Sequence, residues 1–474
     1  MQKDRAKTFL LVSLVLISIF LTQQLWIQIP FSLGPYLSKD KDKGIRYNYI
    51  LSDVISPEKY LINFGGSYTI LYSGSRDDLW LKIRSYLKGI FQNEDLSYKE
   101  IDETEIIKND VKKSINLFFA DDIPTYMLLK ILDCKLSSSI YSSIENVRNI
   151  YIYLGVNPYI VLSNGTNHIK IYNIKVDTSI LINTLDKIER ENVLEYYSIR
   201  MWGINKDVYI PINTSSLSYI IPYVYVNNEI NTGNYLSMGS VAKNFFGEDL
   251  EYARKIVETD GSVIFLYGQK GLKISKNGLI EYFNTLDENV TERNLFISLN
   301  KAVDFITKHL GWPEEAYLSS IEEIEYKGNK GYRFKFKYRI NNFTIYSDKN
   351  KFNSPIEIEV FNKNVKSYKR YIRNISQVEY KKFSKDEVLP PEKVIEINLS
   401  MIKADLAKKN NLKIEEIDNF MILSFIDDIK LGYFDYCDKK YKQKLIGVWV
   451  IDVDGITYIF DMHDGKFVNG GLTE

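Results

Sequence analysis

Apolar and polar positions along the chain fall into three regimes. The first is a run at residues 8–29, Thr-Phe-Leu-Leu-Val-Ser-Leu-Val-Leu-Ile-Ser-Ile-Phe-Leu-Thr-Gln-Gln-Leu-Trp-Ile-Gln-Ile, without a single Asp, Glu, Lys or Arg. A helix crosses the hydrocarbon core of a bilayer in roughly 20 residues, so this run predicts a membrane span. The second regime has helical spacing. Leu79, Trp80, Ile83, Leu87 and Ile90 predict an amphipathic helix over 77–91, and Leu295, Leu299, Val303, Ile306 and Leu310 one over 295–310. A further helix is expected at 179–190. Ile395, Leu399, Ile402 and Leu406 place another between Pro390-Pro391 and Lys408, with proline suited to the first turn.

The third regime alternates. Tyr332, Phe334, Phe336 and Tyr338 interleave with Arg333, Lys335, Lys337 and Arg339, which puts aromatics on one face of a strand and cations on the other. Strands are expected at 59–64 and 67–72 around Gly65-Gly66, and at 114–119, 150–154, 159–162 and 168–173. Others follow at 262–267, 271–275, 279–283, 356–361 and 367–372, and near the end at 420–426, 430–437, 445–453 and 456–461. Asn164-Gly165, Asn277-Gly278, Asp454-Gly455 and Asp464-Gly465 supply turns.

These patterns predict an α+β protein: one N-terminal transmembrane helix followed by a multidomain extracytoplasmic body of antiparallel sheets with packed helices. The expected division is a cytoplasmic tail at 1–7, the span at 8–29 and a juxtamembrane linker at 30–46. A mixed α/β domain follows at 47–195, then a central α+β domain at 196–385 and a C-terminal helix-plus-sheet domain at 386–474. The last two share the order of a long helix before antiparallel strands, which suggests a structural repeat. Lys3, Arg5 and Lys7 precede the span, and the next basic residue is Lys39. Basic flanks stay in the cytoplasm, so the expected location is a single-pass protein of the cell membrane with its body outside. A cleaved secretory signal would place the body on the same side. It needs small residues before the cut, and Ser32-Leu33-Gly34 is followed by the unfavourable Pro35.

Composition changes this picture little. The 61 basic and 61 acidic residues cancel, which argues against a nucleic-acid partner. The 36 Tyr and 24 Phe fit a β-rich body. The two cysteines, Cys134 and Cys437, could pair only across a very long loop, and a body of this size buries enough core without a staple.

A search for chemistry leaves no active site. His168, His309 and His463 fall in three expected domains, so no zinc set forms; His309 suits a cation at a helix C-terminus. Ser56-Pro-Glu-Lys59 matches S-x-x-K, but Ser56-Pro57 reads as an extended or turn dipeptide and no K-T-G follows. The acidic pairs Asp121-Asp122 and Asp427-Asp428 are candidates for carboxylate catalysis only if the fold sets their separation, and caps or loops explain them as well. Neither catalysis nor a cofactor or metal is expected.

Several stretches resemble the YycH family, extracytoplasmic regulators of the YycFG (WalRK) two-component system of low-GC Gram-positive bacteria. They are the single span after a short basic start, Val54-Ile-Ser-Pro-Glu-Lys59, Asp77-Asp-Leu-Trp80, and Phe245-Phe-Gly-Glu-Asp249 through Asp260-Gly261. Tyr267–Ile274, Gly278–Phe283, Gly432-Tyr433 and Trp449-Val450 complete them. The resemblance implies a regulator of a sensor histidine kinase of YycG/WalK type, acting with a YycI-like protein in the lipid membrane and affecting cell-wall homeostasis. An anchored cell-envelope hydrolase or a module binding a cell-wall ligand is the alternative. In the span, contacts with partner helices would come from packing and interhelical hydrogen bonds. Ser13, Ser18, Thr22, Gln23 and Gln24 are the expected contacts.

Overall fold

Alternation and turn chemistry build two sheets in the computed structural model of the protein. It describes residues 51–472 apart from 73–77, 94–95, 103, 106–111, 135–137, 192, 205, 215–216, 287–288, 314, 349–353, 380–387 and 438–441. The expected span and its five contact residues lie outside the described residues. Among those described, no helix is long and apolar enough to cross a membrane.

The first sheet has nine strands: β1 (Lys59–Asn63), β2 (Tyr68–Tyr72), β3 (Ser97–Ile101), β4 (Ser114–Pro124), β5 (Asn146–Tyr153), β6 (Tyr159–Ser163), β7 (His168–Tyr172), β8 (Tyr196–Ser198) and β9 (Tyr209–Pro211). Their order is β3-β7-β6-β5-β4-β1-β2-β8-β9, antiparallel throughout. The β1–β2 turn needs Gly65 and Gly66, at φ +112° and +124°, and the Asn63 side chain accepts both of their N–H groups. Helix α1 (Asp78–Phe91) buries Leu79, Trp80, Ile83, Leu87 and Ile90, the expected stripe, and packs beside α2 (Ser179–Arg190).

The second sheet begins with β10 (Tyr223–Asn228), β11 (Arg254–Val257), β12 (Val263–Tyr267), β13 (Lys270–Ile274) and β14 (Ile280–Phe283). It continues with β15 (Ala316–Tyr326), β16 (Asn329–Ile340), β17 (Phe343–Ser347), β18 (Ile356–Phe361), β19 (Asn364–Arg370) and β20 (Arg373–Glu379). It ends with β21 (Ile426–Asp435), β22 (Lys442–Val453), β23 (Ile456–Asp461) and β24 (Phe467–Gly470). The main path is β11-β12-β13-β14-β19-β18-β16-β17-β21-β22-β10-β20. Its one parallel step, β17 on β21, joins strands of the middle of the chain to strands of its end. Strand β22 pairs with β10 through Lys442–Leu445 and with β23 through Val448–Val453, so one edge serves two neighbours.

Helices α3 (Tyr235–Phe246) and α4 (Leu295–Leu310) cover this sheet, each started by an asparagine side chain: Asn234 accepts from Leu236 N and Asn294 from Ile297 N. The alternation in β16 holds. Tyr332, Phe334, Phe336 and Tyr338 are buried, and Arg333, Lys335 and Lys337 are half-exposed. Arg339 departs from it and is buried.

Two expectations near the C-terminus are corrected. The single helix from Pro390 to Lys408 is two, α5 (Pro391–Ile397) and α6 (Leu399–Asn410). They break at Asn398, whose side-chain amide donates to Val394 O and Gly465 O. Residues 420–426 are mostly helix, α7 (Asn419–Phe425), capped by Asp418 on Met421 N, and β21 starts only at Ile426. A short apolar run has no periodicity to separate helix from strand, and the cap decided it. Residues 47–474 form one compact unit, with a core that runs without interruption from Leu51 to Met462.

Candidate functional site: the junction behind the N-terminal segment

The described chain enters the body through residues 51–59, and they are almost wholly buried. Leu51, Val54 and Ile55 are at most 1% exposed. Helix α1 grips this segment: Trp80 Nε1 donates to Ser52 O at 3.1 Å and Arg84 Nη1 to Ser52 Oγ at 2.7 Å. Asp53 lies 3.7 Å from the same guanidinium. Burial pushes its carboxyl up to about 6, against the pull of Arg84.

Beyond Pro57 the chain passes between the two sheets. Pro57 O accepts Arg339 Nη2 at 2.9 Å, so this segment covers the end of the cationic face of β16 and buries Arg339 there. The Arg339 guanidinium also stacks on Tyr317 at 3.7 Å. Tyr317 Oη donates to Glu58 Oε1 at 3.2 Å and shares a 2.8 Å hydrogen bond with Thr344. Lys59 Nζ reaches both oxygens of Asp428, at 2.5 and 2.6 Å. Lys430 Nζ lies 3.6 Å from Asp428 and 2.9 Å from Asp452. Leu431 N donates to Tyr72 Oη at 2.9 Å, and the Tyr72 ring packs on Phe343 at 5.1 Å.

Strands of both sheets therefore meet on one chain of alternating charges. Burial alone would raise the Glu58 and Asp428 carboxyls. The cations outweigh it and hold both below the usual range: Lys430, Lys337, Lys59 and Arg339 around Glu58, and Lys59 and Lys430 beside Asp428. Burial would lower Lys430, but Asp428, Glu58 and Asp452 hold it well above its ordinary value. Lys59, Asp428, Lys430 and Asp452 each meet an opposite charge, so the network favours one arrangement of the two sheets while contributing modest net stability.

The sequence motifs find their places here. In Ser56-Pro57-Glu58-Lys59, Ser56 is buried, and the Lys59 ammonium is held by a carboxylate and is not free to act as a base toward it. Asp428 is a strut of the junction. Asp427 accepts Lys206 at 2.8 Å and Gly455 N at 2.9 Å. Asp121 Oδ2 accepts Ile321 N at 2.8 Å, tying β4 to β15, while Asp122 pairs with Arg148 at 2.7 Å. His309 does lie in the last turn of α4, but Phe245 and Phe305 flank its ring at 4.7 and 3.9 Å, and burial lowers its pKa, which disfavours the expected cation. Its Nδ1–H donates to Phe305 O at 2.7 Å. Cys134 and Cys437 are both free, and burial pushes the Cys134 thiol up to about 11. Among the described residues no three His, Cys, Asp or Glu side chains cluster as metal ligands.

Sequence reasoning missed the partners Tyr317, Arg339, Thr344, Lys430 and Asp452. No local pattern points to them: Arg339 only continues the alternating cations of its strand, and nothing near it in the chain marks it as buried.

Comparisons with known proteins show what the chain is similar to. Residues 4–192 match the model of the YycH protein, N-terminal domain. The crystal structure of YycH from Bacillus subtilis superimposes with a TM-score of 0.52 at 15% identity, covering 86% of this chain and 96% of that one. An uncharacterized protein from Eubacterium rectale matches with a TM-score of 0.33 at 14% identity, over 57% of this chain and 88% of that one. No curated protein matches the chain.

Proposed function

With residues 4–192 carrying its N-terminal domain, the chain belongs to the YycH family, and on that premise we propose that it is a membrane-anchored regulator of the YycFG system. It acts on a sensor histidine kinase of YycG/WalK type, with a YycI-like protein as its second partner, and affects cell-wall homeostasis. Residues 8–29 are its span, and the body lies outside the cytoplasm. Ser13, Ser18, Thr22, Gln23 and Gln24 give the span its polar contacts with partner helices, because in lipid such contacts and packing replace the hydrophobic drive. The body acts as regulator and carries no catalytic step.

One observation carries this reading. The family match runs without a break across the apolar run, the linker and strands β1 to β7, so the proposed span and the buried segment 51–59 fall within one match. The junction gives that continuity a physical use. A pull or rotation at residue 51 is resisted at once by Trp80, Arg84, Arg339 and Asp428, and so reaches both sheets.

The test is crosslinking from cysteines placed singly along residues 8–29 in cells that hold the kinase. Crosslinks to the kinase span are expected to recur at helical spacing and to peak near Ser18 and Thr22 or near Ser13 and Gln24. A flat profile, together with full regulation by a chain whose span is replaced by an unrelated apolar helix, would sink the proposal.

A further inference from the structure

Strand β11 closes one end of the second sheet. Among the described residues it has β12 on one side and no strand on the other. Its hydrogen-bond phase is set by Glu258, whose N–H donates to Ser262 O at 2.8 Å. Arg254 and Ile256 face Leu266 and Ile264 in the same frame. Backbone groups of alternate residues point to opposite edges of a strand, so 254, 256 and 258 turn toward β12 while Lys255 and Val257 turn outward. The side chains divide in the same way. Arg254, Ile256 and Glu258 share one face. Lys255 and Val257 share the other, where the Lys255 ammonium lies 5.2 Å from the Tyr235 ring centre. Arg254 and Lys255 are exposed, as are Val257 (51%) and the neighbouring Tyr252 (76%).

A free edge of this kind is a template for another strand. Its sequence is complementary to itself. In an antiparallel pair centred on Ile256, Arg254 faces Glu258 of the other copy, and the same pair recurs on the far side of the axis. Lys255 faces Val257, and both point their N–H and C=O groups outward, so they exchange two hydrogen bonds. Helix-bearing faces then lie on the same side of a continuous sheet. Shifting the centre to Val257 keeps the hydrogen bonds but sets Ile256 against Glu258 and loses the Arg254–Glu258 match. Registers centred between residues pair an inward-turned group with an outward one and fail.

We propose that β11 is a homotypic docking edge: two copies of this chain pair antiparallel through residues 254–258 about a twofold axis at Ile256. The interface is isologous and closes on itself, which limits it to a dimer. Glu258, which pairs with Lys273 at 2.7 Å within its own chain, then sits between two cations.

Ile256→Cys in the full chain tests this. Non-hydrogen-bonded partners across an antiparallel pair have Cα atoms about 4.5 Å apart, within disulfide range. Mild oxidation in cells is expected to give a disulfide-linked dimer on non-reducing gels. Its yield should be ~10-fold above the wild type, which keeps Cys134 and Cys437, and above a Thr259→Cys control off the axis. Adding Arg254→Glu should return the dimer to background by setting two acids against each other. Glu258→Arg alone should do the same with two cations, and the two together should restore it. Arg254 and Thr259 are exposed and Ile256 and Glu258 half-buried, and unchanged circular dichroism melts verify the fold of each variant. No dimer above background from a folded chain overturns the proposal. So does a dimer indifferent to charge reversal, or capture from position 256 of a different protein.

Discussion

Asp53 is a carboxyl whose ionisation burial disfavours in the folded protein. Burial raises its carboxyl to about 6 although Arg84 stands 3.7 Å away. A carboxyl with a raised folded-state pKa binds its proton more tightly when folded. Its favourable contribution is therefore full below the unfolded value near 4 and is lost as pH rises through about 6. Asp53→Asn is expected to raise stability at pH 7.5 by about 1–2 kcal/mol after allowing for solvent screening, and to do nothing at pH 4. Thermal melts across that range check it. The junction behaves in the opposite sense. Asp428, held below the usual carboxylate range, keeps its charge and its bond to Lys59 when Asp53 has already taken up a proton. Lys59→Met strands that carboxylate and is expected to cost about 2–3 kcal/mol, with the double variant Lys59→Met, Asp428→Leu well short of the summed single losses. Denaturant titrations of the four chains would show it, and additive losses would mean that the two residues do not act as a pair. Ser56→Ala, by contrast, is expected to leave regulation of the kinase intact. An abolished response from a stably folded variant would revive a nucleophilic role.

At the scale of elements, the parallel step between β17 and β21 depends on one close approach. A Cβ added to Gly432 would stand 2.6 Å from the Tyr346 ring and 2.9 Å from Thr344 O. The ring could swing, but the carbonyl belongs to β17 and cannot yield without opening the pairing of Ile345 with Tyr433. Gly432→Ala is expected to destabilise by about 1–3 kcal/mol in thermal unfolding. The Asn294 cap of α4 is the milder case: Asn294→Ala should cost about 1 kcal/mol, most of which Asn294→Asp should recover. Elements of strong period were legible in the chain. The stripe of 295–310, the stripe of α1 and the alternation of β16 each state their conformation in their own side chains. Short strands such as β8, β9 and β11 have three or four residues and take their shape from the neighbour they pair with, so no local pattern marked them. The strand expected at 420–426 is a helix for a related reason: Phe-Met-Ile-Leu-Ser-Phe at 420–425 fits either period, and the Asp418 cap is what selects the helix.

In the whole molecule, what matters is that the segment behind the N-terminal region is clamped into both sheets. The proposed regulator would use this as a transmission point, and the reading makes a separable prediction. A chain that keeps residues 8–29 but carries Arg339→Met should still crosslink to the kinase span while its regulatory effect falls, because Pro57 O loses its tie to β16. Equal loss of both, or of neither, would show that the junction does not transmit. The amino-acid sequence by itself determined the apolar run, its basic flank, the main helices and the alternating strands. All of these depend on residues within a turn or two of one another, where spacing alone decides what faces what. Only the tertiary structure decided that Lys59 meets Asp428 across 369 residues, Glu58 meets Tyr317 across 259 and Pro57 meets Arg339 across 282. A charge pattern records that a residue is ionic. Which opposite charge it is buried against follows from how the sheets pack, and the cost of burying an unpaired charge then holds that packing to one arrangement.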